Sequence, residues 1–83
     1  MRVAVISPDS AVFDGEADSV VAPAHDGQVG ILANHAPMMT LLGTGLLQVR
    51  QADVTHRFTV SGGFLQVVDN VVRVVAERIQ VQP

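Results

Sequence analysis

Eighty-three residues, 48% of them hydrophobic and 16% charged, are enough for one small domain with a buried core and leave no room for a second. The formal charge is -3, the five cations are all arginines scattered along the chain, and Lys, Cys, Trp and Tyr are absent. These absences exclude Schiff-base catalysis, P-loop phosphate binding, thiol nucleophiles, disulfide staples and thiolate metal sites, and the charge pattern lacks the clustered basic face of a nucleic-acid binder.

In chain order, the opening stretch Arg2–Ser7 is apolar but is broken at Pro8-Asp9, too early for a signal-peptide core. No later apolar run approaches the ~18–20 residues that cross a bilayer, so a soluble cytoplasmic chain without membrane insertion is expected. Turn signals then follow at short intervals: Asp14-Gly15, Asp26-Gly27, Gly43-Thr44-Gly45, Ala52-Asp53, Gly62-Gly63 and Asp69-Asn70. Between them lie β-branched runs, with valine doublets at Val20-Val21, Val67-Val68, Val71-Val72 and Val74-Val75. Alternation predicts that Val54, Phe58 and Val60 share a core face opposite Thr55, Arg57 and Thr59, and that Val72, Val74 and Ala76 face away from Arg73 and Glu77. Only Asn34 to Leu42 departs from strand patterning, where Asn34 would cap a short helical turn with Pro37 in its first turn. The pattern predicts one all-β unit over residues 1–83, a sandwich or a barrel.

Candidate chemistry is sparse. His25, His35 and His56 lack paired metal-ligand spacing, and Ser61 has no nucleophile elbow around it, so neither a metal centre nor a catalytic site is expected. Gly27-Gln28-Val29-Gly30 and Gly43-Thr44-Gly45 open onto no helix pattern and read as turns, not phosphate cradles. The acidic positions Asp9, Asp14, Glu16 and Asp18 lack calcium-loop spacing. No cofactor is implied. The segment Gly30 to Met39 stands out because it is apolar for a stretch rich in turn formers, and its adjacent Met38 and Met39 suit either a docking edge or a plug for the open end of the core.

The run Asp26-Gly27-Gln28-Val29-Gly30-Ile31-Leu32-Ala33-Asn34-His35-Ala36-Pro37-Met38 resembles the Gly-x-x-Gly-Ile-Leu-x-x-His-Ala-Pro-Leu signature of the F-type ATP synthase epsilon subunit, called delta in mitochondria. Val60-Ser61-Gly62-Gly63-Phe64-Leu65-Gln66-Val67 is similar to a second block of that family, and Val5–Asp9 with Val12–Ala17 fits its first hairpin. The likeness implies a flattened antiparallel β-sandwich of about ten short strands. It also implies a non-catalytic rotor subunit that joins gamma to the polar loops of the c-ring, touches the catalytic α/β subunits only indirectly, and lies at the cytoplasmic face of the bacterial inner membrane. Through it, proton or ion flow would be coupled to ATP synthesis.

On this resemblance Gln28, Val29, Ile31, Asn34, His35, Ala36, Pro37, Met38 and Met39 are the expected contacts with gamma or the c-ring, and Gly27, Gly30, Gly62 and Gly63 are structural turn positions. Gln28 stands where the family often carries an acid, Ala33 where it often carries Pro, and Gln66 where it often carries Glu. The family's C-terminal helical hairpin has no counterpart pattern before Pro83, so neither helical-arm inhibition nor nucleotide binding is expected, and a naturally short chain is slightly favoured over a cut one. The alternative is a free-standing β-sandwich adaptor that binds peptides along a strand edge.

Overall fold

A computed structural model describes residues 1–83 as eight strands and no helix: β1 (Arg2–Ile6), β2 (Ala11–Glu16), β3 (Ser19–Ala24), β4 (Gly27–Leu32), β5 (Met38–Leu41), β6 (Gly45–Gln51), β7 (Val54–Val68) and β8 (Val71–Gln82). They form one sheet in the order β2-β1-β8-β7-β6-β3-β4, with β5 added on β7. Before Gly62-Gly63, β7 pairs with β6 and the end of β8; beyond it, β7 pairs with β5 and the start of β8. The sheet therefore folds over on itself, giving a first layer β2-β1-β8-β7-β5 and a second layer β4-β3-β6-β7-β8. The expected ten short strands are eight, because β7 and β8 are long and each serves both layers. The sandwich is only slightly flattened, at 27 × 26 × 22 Å.

Both glycines of the fold-over have left-handed backbone, φ +72° at Gly62 and +108° at Gly63. A Cβ on Gly63 would collide with the Val75 carbonyl oxygen and lie 2.9 Å from Ala76 Cα, so β8 can pass only a residue without a side chain. The pair is thus a bend inside β7, not the passage from one strand to the next that the sequence suggests. Across it the inward positions of β7 switch from Phe58 and Val60 to Leu65 and Val67. Those residues join Val3, Val5, Val20, Ala22, Ile31, Leu47, Val49, Val72, Val74 and Ala76 in one apolar core that includes no polar side chain.

Four further expectations need correction. The ladder is not wholly antiparallel, since β1 runs parallel to β8. Asn34 does not cap a helical turn; it sits at φ +64° in a tight turn, and Met38–Leu41 is strand β5, held by β7. Asp14-Gly15 lies within β2, paired with β1, and not in a turn. Val54 shares parity with Phe58 but is 54% exposed, because it begins β7 beside the β6–β7 turn, beyond the cover of the other layer.

Candidate functional site

Strands β4 and β5 and the loop between them hold the expected contact residues, and the structure splits that segment between several environments. Gln28 is exposed on β4 opposite Pro23, Val29 is half-buried against the core, and Ile31 is a core residue at 1% exposure that offers no side chain to a partner. Gly27 follows the turn at φ +134°, whereas Gly30 lies within β4 opposite Val21 without positive φ, so the expected turn role fails there. The loop Asn34, His35, Ala36 and Pro37 is largely exposed. It is fixed at its start: Asn34 N–H donates to Asn70 Oδ1 at 2.7 Å, and His35 N–H donates to the Leu32 carbonyl at 3.2 Å.

The two methionines part company because successive residues of a strand face opposite ways. Met38 pairs with buried Val67 and packs against the core; Met39, opposite Gln66, is 64% exposed. Met38 thus contributes to the core, and Met39 stands on the outer surface.

From Met39 the outer face of the first layer can be followed strand by strand. Leu41, 63% exposed, stands opposite Phe64, Phe64 opposite Val75, and Val75 beside Ile6 on β1. This makes a cross-strand apolar row over four strands, flanked on one side by Met39, Gln66 and Arg73. The exposed apolar side chains of the second layer, Leu32, Leu46, Val54 and Val81, stand near strand ends, and none is opposite another. Phe64, Val75, Ile6 and Leu41 were not singled out from sequence. The available signal was the valine doublets, since two adjacent apolar residues in a strand put one on each face.

The arrangement offers apolar surface and little bond chemistry. His56 is held by Gln51, with Nε2 2.8 Å from Oε1, and packs against Phe13 with the ring centroids 4.9 Å apart and the planes tilted by 50°. Ser61 meets the Thr44 hydroxyl at 3.1 Å, and no histidine is bonded to it. No group of three or more His, Cys, Asp or Glu side chains converges as a metal site would require, and no helix is long and apolar enough to cross a membrane. The ion pairs are peripheral, Arg2 to Asp14 at 2.8 Å and the N-terminal amine to Glu16 at 3.5 Å.

Fold and surface together define a small all-β sandwich domain with an ordered apolar row on one outer face. Residues 1–82 match the family model described as the ATP synthase delta/epsilon chain, beta-sandwich domain, and the chain belongs to that family. It is 42% identical over 77 residues to the ATP synthase epsilon chain of Leptospira borgpetersenii, which covers 93% of this chain and 61% of that one. It is 46% identical over 74 residues to the epsilon chain of a Synechococcus species, covering 89% of this chain and 54% of the relative. The chain thus spans between half and two thirds of the length of these relatives. The same fold occurs in the Euglena gracilis mitochondrial ATP synthase OSCP/F1/c-ring structure, with a TM-score of 0.88 at 23% identity over 95% of this chain and 51% of that one. It recurs in the central stalk and c-ring structure of the Tetrahymena thermophila mitochondrial enzyme, with a TM-score of 0.82 at 18% identity over 96% and 65% of the respective chains.

Proposed function

We propose that this chain is a non-catalytic central-stalk subunit of an F-type ATP synthase, seated peripherally at the cytoplasmic side of the bacterial inner membrane. In this reading the outer face of the first layer packs on gamma, and the β3–β4 turn with Gln28 approaches the polar loops of the c-ring. Rotation driven by ion flow then reaches the distant catalytic subunits through a rigid joint. The observation that carries the reading is the Leu41–Phe64–Val75–Ile6 row with Met39 at its edge. Exposed Leu41 and half-exposed Phe64, Val75 and Ile6 keep apolar surface in contact with water, and covering it with a partner is favourable by about 25 cal/mol per Å² removed from water. Rigidity suits the role: the fold-over ties β7 and β8 into both layers, so the joint does not shear between two independent sheets.

The expected contacts divide accordingly. Met39 belongs to the gamma face, Gln28 and the Asn34–Pro37 loop to the end of the sandwich, while Val29, Ile31 and Met38 support them from the core. Co-expression with gamma from the same source tests the reading: a complex that survives size-exclusion chromatography is expected, and two separate peaks would reject it. The alternative, a free-standing adaptor, is favoured by one feature, that β4 is an uncharged edge strand open to strand addition. Binding of unrelated extended peptides without binding of gamma would establish that reading instead.

A further inference from the structure

At the end of the sandwich the β4–β5 loop and the β7–β8 hairpin enclose an open cavity of about 460 Å³, lined by Asn34, His35, Ala36, Pro37, Asp69 and Asn70. Its chemistry is one-sided. Asp69 brings a carboxylate with no ion pair and no hydrogen bond, and no Arg lines the cavity. Arg2, whose backbone N–H reaches the Asn70 carbonyl at 3.1 Å, directs its guanidinium away to Asp14 at 2.8 Å. His35 Nδ1 lies 2.7 Å from the Ala36 carbonyl. A carbonyl only accepts, so Nδ1 carries the hydrogen and the neutral ring keeps Nε2 as a free acceptor. The Asn34 side chain also has an unused amide oxygen. The Asn34–Asn70 hydrogen bond holds the two walls together before any ligand arrives.

We propose that this cavity receives the guanidinium of an arginine presented by a protein partner. A planar group with five donors fits one carboxylate flanked by neutral acceptors, and Ala36 and Pro37 offer an apolar wall to its methylene stem. The site adds Asp69 and Asn70 to the surface expected from sequence, and it supplies an acid at an end of the molecule where Gln28 brings none. It deepens the docking reading and rests on it only for the source of the arginine.

The test uses the free chain, so its outcome is separate from whether gamma binds. In a titration of the ¹⁵N-labelled chain with N-acetyl-arginine methylamide, saturable amide shifts are expected at Asn34, His35, Asp69 and Asn70, with a Kd of about 1–10 mM. Asp69→Asn and Asp69→Gly both tolerate the left-handed backbone of this position, φ +51°, and each should weaken the response about tenfold or more. Asp26→Asn, which removes a carboxylate from the β3–β4 turn, should leave it unchanged. No saturable shift, an unaltered response in both Asp69 variants, or equally tight binding of N-acetyl-lysine methylamide would overturn the assignment.

Discussion

Gly63 shows how much of the architecture can rest on the absence of one methyl group. Its φ of +108° and the proximity of the Val75 carbonyl and Ala76 Cα let β7 turn from one layer into the other while β8 follows closely. Gly63→Ala combines backbone strain with a backbone collision that no rotamer relieves, and should cost about 3 kcal/mol or more. Urea unfolding of the variant beside wild type measures this directly. At Gly62 the obstacle is the Glu77 side chain, with Oε2 2.8 Å from the added Cβ, and that flexible group can move aside. Gly62→Ala should therefore be milder than Gly63→Ala, its cost mainly the positive φ. The Gly-Gly pair was legible in the sequence as a place needing backbone freedom. Its meaning was not, because a break between two strands and a bend within one carry the same local signal.

At the scale of elements, β5 is the most telling. Its four residues pair with a single strand, β7, the Leu41 carbonyl also accepting from His25 N–H at 3.1 Å, and they divide Met38 to the core from Met39 to the surface. Met38→Ala should lower stability by about 2 kcal/mol, the low end for a methionine that is only half-buried. Met39→Ala should leave stability within about 0.5 kcal/mol. Thermal unfolding of the two variants separates the roles. The core strands were read correctly wherever alternation was clean, as at Val72, Val74 and Ala76. Alternation failed across Gly62-Gly63, where the inward parity changes, and in β5, where Asn34 and Pro37 imitate a helix start. The candidate surface was half legible: Met39 and the Asn34–Pro37 loop were marked by composition. The rest of the apolar row comes from β1, β7 and β8, whose neighbouring positions are far apart in sequence and are joined only by strand register.

For the whole molecule, the two outer faces differ in kind. The first layer carries an ordered apolar row, whereas the second carries Arg50, Arg57, Thr55 and Thr59 with isolated apolar residues near strand ends. The chain's accessible surface of 4769 Å² matches the ~4,800 Å² expected of a compact monomer of its mass, so the layers are already closed on each other and the row lies on the outside. On the proposed reading this row is the face that binds gamma. Calorimetric titration of gamma, from the same source, with wild-type chain and with Leu41→Asp and Leu46→Asp decides the matter. Both substitutions place a charge at an exposed leucine, one on each face. Leu41→Asp should weaken binding about thirtyfold or more, about 2 kcal/mol, while Leu46→Asp should bind as wild type does. Equal affinity for wild type and Leu41→Asp, or a loss confined to Leu46→Asp, would show that gamma binds elsewhere.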